Sequence, residues 1–290
     1  MSGDKSDTRN PYRGSHASLF RPGQSVAAEP VTYDLATGRE IFSAPLPVTY
    51  VNPARVWESI SPVSLSANHL AGNGLFPHSA PGPATTAFDM LRTRLLHGLR
   101  THGWKRIAVT SPTHGCGKSF VATNLALSLA RRAGSRSVLM DLDLRRPQLA
   151  TLLGIADIGP VEEFLSGDQP LESHFRRFGR TLALGLNGAA VEMASETLHD
   201  AVTAQALDAM LEQLDPEVVI YDLPPALLSD DVLALRPCID AVLLVTDGTQ
   251  TSPDDIRACE ALFAGQMPLL GVVLNRAQDR AAGRFRARKD

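Results

Sequence analysis

A glycine-rich loop ending in Lys118 and Ser119 has the residue types and spacing needed to hold a chain of phosphate groups. The loop follows a short apolar run, Ile107 to Thr110, and precedes a helix-like segment. Glycines let consecutive backbone N–H groups turn towards phosphate oxygens, and the start of the helix adds the positive end of its dipole. A lysine and a serine at these positions reach the β- and γ-phosphates and Mg²⁺, respectively. We therefore expect a nucleoside triphosphate to bind at Thr113, His114, Gly115, Cys116, Gly117, Lys118, Ser119 and Phe120.

The loop departs from the usual phosphate-binding pattern at one position, because Pro112 stands where the first glycine is expected. A plain glycine turn between a strand and a helix, with Lys118 solvated, is the alternative interpretation. The loop alone does not decide between the two, so the rest of the chain has to.

Carboxylates occur where two further buried strands are predicted to end. Asp141 and Asp143 close the run from Ser137 to Asp143, and Asp222 closes the run from Glu217 to Asp222. In open α/β sheets, ligands bind outside the carboxyl ends of the strands, so these acids are expected beside the loop. Asp222 suits a magnesium site, although acids at strand ends are also ordinary turn residues.

Asn275 ends the last predicted strand and has two interpretations. Its amide could hydrogen-bond the edge of a nucleotide base, or it could be a turn residue. Both stay open at the level of sequence.

Strands and helices alternate through some two hundred residues, which predicts an α/β fold with a mostly parallel sheet flanked by helices. An amphipathic helix begins near residue 84, with Phe88, Leu91, Leu95 and Leu99 on one face. The other predicted strands cover 181–186, 241–245 and 269–274, and the other predicted helices follow the loop and cover 196–214 and 254–263.

Residues 1–83 differ in composition from residues 84–290. Half of the 20 prolines lie in the first segment, without helical or strand periodicity, which predicts a disordered segment before a single domain. An apolar patch, Ile41 to Trp57, is either a docking peptide or a linker without function.

Composition excludes several classes of protein. The net charge of −3 gives no electrostatic case for a nucleic-acid partner. The three cysteines, Cys116, Cys238 and Cys259, are scattered, which favours a reduced, cytoplasmic compartment. An apolar run of about 20 residues, long enough to span a bilayer, is missing from the sequence.

The loop and the strand ends together resemble those of the bacterial tyrosine kinases of capsule and exopolysaccharide synthesis. The resemblance covers about Ala84 to Asn275 and rests on SPTHGCGKS with DLDLRRPQL, on VVIYDLPPALLSDD, and on AVLLVTDG with LLGVVLNRAQ. It implies a P-loop NTPase with a deviant Walker A motif, related in fold to septum-placement and chromosome-partition ATPases.

The resemblance also implies cofactors, residue roles and partners. ATP and Mg²⁺ would be bound, with Ser119, Asp143 and Asp222 holding the metal and Lys118 neutralising phosphate charge. Asp141 would orient the incoming phenol. The expected partner is a transmembrane regulator of polysaccharide chain length, which would place the protein in the cytoplasm at the inner membrane.

Two departures from the family leave the activity open. The tail RAAGRFRARKD lacks the family's tyrosine cluster, so the tyrosines in this sequence are Tyr12, Tyr33, Tyr50 and Tyr221. The ring-forming Glu-x-x-Arg-x-x-Arg motif reads Thr86, Asp89 and Arg92, which places a homo-oligomer built through this helix in doubt. The two functions to be weighed are an ATP-dependent tyrosine kinase and an ATP-dependent switch that acts by binding partners.

Overall fold

Eight strands form one sheet within residues 52–76 and 82–277, the ranges that the computed structural model of the protein describes. The strands are β1 (Ser61–Val63), β2 (Arg106–Thr110), β3 (Ser137–Asp141), β4 (Arg176–Phe178), β5 (Leu182–Gly185), β6 (Val218–Asp222), β7 (Ala241–Asp247) and β8 (Leu269–Asn275). Their order in the sheet is β1-β4-β5-β3-β6-β2-β7-β8. Each neighbouring pair is parallel except β4 and β5. The predicted mostly parallel α/β fold is confirmed.

Helices connect and cover the strands. They are α1 (Pro53–Ser59), α2 (Ala67–Gly72), α3 (Pro83–His102), α4 (Lys118–Ala130), α5 (Leu149–Leu153), α6 (Glu162–Leu165), α7 (Leu171–His174), α8 (Ala194–His199), α9 (Ala201–Leu214), α10 (Asp231–Ala234) and α11 (Pro253–Phe263), with a 3₁₀ turn at Arg236–Cys238. Local sequence explains several of their ends. In α11, for example, Ser252 at the N-cap forms a reciprocal capping box with Asp255, and Pro253 begins the helix.

The core lies around the central strands β3, β6, β2 and β7, in which nearly every residue is buried. Strands covered on both faces read as continuous apolar runs, which is why these segments show no alternation of polar and apolar residues. Helix α4 is also buried nearly all round, since it packs against α3 as well as against β3 and β6. The predicted apolar face of α3 is confirmed, because Leu95 and Leu99 are buried and Phe88 and Leu91 pack against the same core.

Some predicted boundaries are wrong. Strand β3 ends at Asp141, so Asp143 lies in the turn beyond it rather than in the strand. The helix predicted over 196–214 is two helices, because Asp200 adopts an extended conformation and caps the N-terminus of α9 through the N–H of Val202. The short strands β1 and β4 carry too little periodicity to be found from sequence.

The prediction of disorder is wrong for residues 52–76. They form α1, β1 and α2, and β1 adds a parallel strand next to β4. Trp57 is buried, and its indole N–H donates to the carbonyl of Leu214 at 2.7 Å. A single tryptophan, with a few aliphatic residues, is enough to anchor a segment whose composition suggests disorder. Residues 1–51 lie outside the described residues.

The register of the sheet decides which residues meet at its carboxyl edge. Asp141 of β3 is directly opposite Asp222 of β6 in adjacent parallel strands. Side chains at paired positions lie on the same face of a sheet, about 5 Å apart. The two acids predicted separately from the two strands are therefore neighbours.

We expect Trp57→Ala to lower the free energy of unfolding by about 3–5 kcal/mol, because it removes a buried aromatic ring and the partner of the Leu214 carbonyl. Met193→Ala, at a side chain that is 60% exposed, is the matched control and should change it by less than about 0.5 kcal/mol. Urea unfolding measures both. A Trp57 variant as stable as wild type would show that residues 52–76 do not anchor to the domain.

A second expectation concerns acid stability. His174 is buried against Phe164 and Phe175, and burial lowers its pKa from 6.5 to about 4. The His174 imidazole takes up a proton more readily in the unfolded chain than in the folded one. The folded state is therefore most stable above pH 6.5, and it loses stability as the pH falls towards 4.

Between pH 7 and pH 5 the free energy of unfolding should fall by about 2 kcal/mol because of His174. His174→Phe should abolish this fall, whereas the exposed His97→Gln should leave it unchanged. Urea unfolding at the two pH values gives the difference. Equal acid sensitivity of the His174 variant and wild type would contradict this expectation.

Candidate functional site: a phosphate-binding loop beside three carboxylates

The loop between β2 and α4 turns on two glycines in the left-handed region. Gly115 has φ +83° and Gly117 has φ +87°, values that side-chain-bearing residues adopt only with strain. A Cβ on Gly117 would also lie 2.2 Å from the Asn275 side chain. The glycines that defined the motif in the sequence are thus required both by the backbone and by a close neighbour.

Six of the seven backbone carbonyl groups from Ser111 to Gly117 accept a hydrogen bond from another group of the described residues, His114 being the exception. Two accept from the segment after β6, since the N–H groups of Ala226 and Leu227 donate to Ser111 and Pro112. The others are bonded as follows: Thr113 O to the Ser111 hydroxyl at 2.8 Å, Gly115 O to Arg276 Nη1 at 2.9 Å, Cys116 O to Asn275 Nδ2 at 2.9 Å and Gly117 O to Val121 N at 3.0 Å.

The backbone N–H groups of the same loop, in contrast to its carbonyl groups, are without hydrogen-bond partners among the described residues. From Thr113 to Phe120, no backbone N–H donates to an acceptor in the part of the chain that the structure describes. Buried or partly buried amides are nearly always hydrogen-bonded, so a run of free donors at a helix start is typical of an anion site. The interpretation as a plain glycine turn does not account for this asymmetry.

Two carboxylates contact one lysine next to the loop, and a third lies opposite one of them in the sheet. Lys118 Nζ lies 2.7 Å from Asp143 Oδ2 and 3.4 Å from Asp222 Oδ1, and it also contacts the Ser119 hydroxyl at 3.1 Å. Asp141 accepts the N–H groups of Gln148 and Leu149 through Oδ2, at 3.0 and 2.9 Å. The predicted convergence of Lys118, Asp141, Asp143 and Asp222 is what the structure shows.

Burial and mutual repulsion shape the charges of this cluster. Burial, with the charge of Asp222 added, raises the pKa of Asp141 well above its usual value. Burial also raises the pKa of Asp222, although Lys118 opposes the shift. For Lys118, burial alone lowers the pKa, but the charges of Asp222 and Asp143 outweigh it and raise the pKa. The cluster is therefore short of positive charge.

A divalent cation fits this deficit. Asp222 Oδ2 and Asp141 Oδ1 are buried and have no hydrogen-bond partner within the described residues. Mg²⁺ prefers oxygen ligands and is usually held by one or two carboxylates, waters and substrate phosphates. Among the described residues no set of three His, Cys, Asp or Glu side chains is placed to hold a metal by itself. Ser119, Asp143 and Asp222, the residues predicted to hold the metal, lie together here, and Asp141 Oδ1 is a further oxygen without a partner in the described residues.

Two adjoining cavities open at the cluster. One, of about 310 Å³, is lined by loop residues together with Phe120 and Arg276. The other, of about 330 Å³, lies towards Arg145, Pro225 and Leu228. His114, Asp143 and Arg146 line both cavities, so Asp143 stands at their junction.

The predicted residues divide by position. His114, Gly115, Gly117, Lys118, Ser119 and Phe120 line the first cavity, whereas Asp141 lines neither of the two. Cys116 is buried, with Sγ 3.7 Å from the hydroxyls of Thr113 and Thr251. Asn275 donates its amide to the loop carbonyl of Cys116, so in this structure its donor serves the loop.

Sequence reasoning missed three contributors: Arg146, Asp247 and Arg276. Asp247 ends β7 as Asp222 ends β6, so an acid at a strand end was a signal that could have revealed it. Arg276 directly follows Asn275, and only the fold shows that its guanidinium returns to the loop.

Comparisons with known proteins agree with this geometry. A family model described as NUBPL iron-transfer P-loop NTPase matches residues 104–281, which is more than half of the chain. The putative tyrosine-protein kinase EpsB of Ralstonia nicotianae is 30% identical over 213 residues, 71% of this chain. The solved BceF tyrosine kinase domain is 25% identical, with a TM-score of 0.61, over 78% of this chain and 98% of that domain.

Two qualifications belong to these similarities. The chain spans only 28% of the length of that EpsB protein and 26% of a second EpsB, from Ralstonia solanacearum. An iron-sulfur cluster carrier protein of Deinococcus radiodurans is 34% identical over 172 residues, 58% of this chain and 48% of the carrier. The resemblance to bacterial tyrosine kinases predicted from the motifs is nevertheless confirmed.

Replacing Lys118 with alanine should weaken ATP binding at least tenfold, about 1.4 kcal/mol, because it removes the cation that lies between the loop and two carboxylates. Lys105→Ala is the matched control, since Lys105 pairs with Asp215 before the amino end of β2. Titration calorimetry measures both variants. Equal affinity of the Lys118 variant and wild type would contradict a role in phosphate binding.

Proposed function

Because the chain belongs to the P-loop NTPase family described as NUBPL iron-transfer P-loop NTPase, we propose that it uses its phosphate-binding loop as an ATP-dependent protein-tyrosine kinase. The observation that carries the proposal is the pair of adjoining cavities with Asp143 at their junction. One cavity suits the nucleotide, and the other suits an acceptor side chain beside it.

Phosphoryl transfer needs positioning and charge neutralisation more than covalent chemistry. The free amides from Thr113 to Phe120 and the ammonium of Lys118 supply donors for the phosphate oxygens. Ser119, Asp143 and Asp222 would hold Mg²⁺, which when bound neutralises charge on the phosphates. These roles are our assignment from the chemistry of the residues present.

The second cavity supports transfer to a phenol. Pro224, Pro225 and Leu228 give it an apolar wall, and Asp143 gives it one carboxylate. A tyrosine side chain has the same division, with an apolar ring and a polar tip. We therefore assign the orientation of the acceptor hydroxyl to Asp143. Asp141, which was expected to orient the phenol, is held by the amides of Gln148 and Leu149 and instead supports the turn that carries Asp143.

The acceptor is a tyrosine other than Tyr221. Tyr221 is fully buried in β6, and burial raises its pKa far above the usual value. A phenol in that position reaches neither cavity. Among the tyrosines of this sequence, Tyr12, Tyr33 and Tyr50 lie outside the described residues, and the other acceptors are tyrosines of a partner chain.

We further propose that the protein acts in exopolysaccharide assembly with a transmembrane chain-length regulator, the partner implied by the resemblance. None of the helices within the described residues is long and apolar enough to span a bilayer. We propose, from the resemblance alone, that contact with the inner membrane comes through this partner.

The alternative is a nucleotide-driven switch that hydrolyses ATP and acts by binding partners. Its support is the family itself, whose model is not specific to kinases. Transport of iron, which the names of the model and of one relative include, does not suit the cysteines of this chain. Cys116, Cys238 and Cys259 are all buried and far apart in sequence, whereas a cluster needs several accessible thiolates together.

Incubation with γ-labelled ATP and Mg²⁺ separates the kinase from the switch. The kinase transfers label to tyrosine, whereas the switch releases only free phosphate. Asp143→Asn should slow transfer by about 10²- to 10⁴-fold or more, because it removes a carboxylate assigned both to Mg²⁺ and to the acceptor hydroxyl.

Asp254→Asn, at an exposed side chain on α11, is the matched control and should leave the rate unchanged. Tyr221→Phe should retain full labelling. Phosphate release without phosphotyrosine, even with the partner's cytoplasmic segment added, would rule out the kinase and leave the switch.

A further inference from the structure

Arg276 makes two contacts at once, one with the phosphate-binding loop and one with a buried acid. Its Nη1 donates to the carbonyl of Gly115 at 2.9 Å and to Asp247 Oδ2 at 2.6 Å. Next to it, Asn275 donates to the carbonyl of Cys116 at 2.9 Å. Two consecutive residues, the last of β8 and the one after it, thus bind consecutive carbonyls of the loop.

The planar trans peptide turns these contacts into control of the amides. In each peptide unit the C=O and the N–H point in opposite directions. Fixing the Gly115 carbonyl on the outer side therefore aims the N–H of Cys116 towards the opposite side. The Asn275 contact does the same for the N–H of Gly117. Both amides belong to the free run that faces no protein acceptor among the described residues.

The Arg276 side chain is 55% exposed, but its partner Asp247 is buried. The Asp247 side chain is fully buried at the end of β7 and also accepts the N–H and hydroxyl of Thr249. Those bonds, with the charge of Arg276, hold the pKa of Asp247 below its usual range. An ionised, buried carboxylate therefore orients the guanidinium.

The backbone conformation of Arg276 also indicates that its surroundings hold it in place. Its φ of +50° lies in the left-handed region, which only two other non-glycine residues adopt in the described ranges. Such a conformation is strained for a residue with a side chain and persists only where the surroundings enforce it. Here the N–H of Arg276 bonds the Asn275 side chain at 2.9 Å, while the carbonyl of Asn275 accepts Gly248.

We propose that Arg276, oriented by Asp247, is a positioning residue that sets the phosphate-binding loop in the conformation that accepts nucleotide. The proposal rests on the proposed function only in that the loop binds ATP. It assigns to Arg276 an action through the loop carbonyl, so the guanidinium charge need not touch the phosphates.

Two variants separate positioning from simple charge attraction. Arg276→Gln removes both contacts and should weaken ATP binding about tenfold. Asp247→Asn keeps the arginine but removes its orienting charge. Positioning predicts weaker ATP binding in Asp247→Asn as well, whereas attraction of phosphates by a free arginine predicts tighter binding, because a negative charge near the site is gone.

The remaining arms make the result specific. Arg276→Lys, which keeps one donor and the charge, should lose less affinity than Arg276→Gln. The double variant should bind ATP about as weakly as Arg276→Gln alone, because the two residues act as one unit. Arg257→Gln, at an exposed arginine on α11 paired with Asp254, is the matched control and should bind like wild type.

Titration calorimetry gives the ATP affinities, and thermal unfolding without nucleotide checks that the variants remain folded. Wild-type affinity in Arg276→Gln, or tighter binding in Asp247→Asn, would overturn the positioning role while leaving ATP binding intact. Absence of ATP binding by the wild-type chain would overturn the proposed function together with this inference.

Discussion

The opposite states of the carbonyls and amides in one short loop are the constraint on which this site depends. The carbonyls of Ser111 and Pro112 are bound by the segment after β6, and those of Gly115 and Cys116 by Arg276 and Asn275 at the end of β8. The loop is therefore held by chain segments that follow two different strands, while its N–H donors have no acceptor among the described residues. Backbone groups are nearly always paired in folded proteins, with protein or with water, so a run of amides that has no protein acceptor is suited to an anionic ligand that supplies the acceptors.

The buried negative charge of the carboxylates next to the loop lowers the stability of the free protein, and the same charge allows them to hold a cation. The parallel register places Asp141 opposite Asp222 in buried strands, and burial raises the pKa of both groups, with the charge of Asp222 adding to the shift at Asp141 and that of Asp143 adding to the shift at Asp222. One lysine shared between Asp143 and Asp222 compensates only part of the charge. A cluster of this kind weakens the apo fold and favours a bound cation, which is the exchange of stability for function that active sites commonly show. The family and the cavities then point to phosphate chemistry, with Asp143 at the junction of the two cavities.

Much of the architecture could be predicted because it is local. Glycines, a Lys-Ser pair and acids at the ends of apolar runs identify the loop and the carboxyl edge of the sheet, and parallel pairing brings Asp141 and Asp222 together. What could not be predicted depends on distant partners. The order of residues 52–76 rests on Trp57 bonding Leu214, 157 residues away, and the role of Arg276 rests on a buried acid in another strand. The composition around Trp57 predicts disorder, because a single anchoring side chain hardly changes the average composition of a segment.

Amide hydrogen exchange at the loop tests the central claim most directly. In the free protein, the N–H groups from Thr113 to Phe120 should exchange rapidly, because none has an acceptor in the described part of the chain. With Mg·ATP added, Cys116 and Gly117 should become protected, while amides at Ala133 and Gly134, after the far end of α4, stay unchanged. Loop amides that are already protected without nucleotide, or that gain no protection with it, would contradict the account.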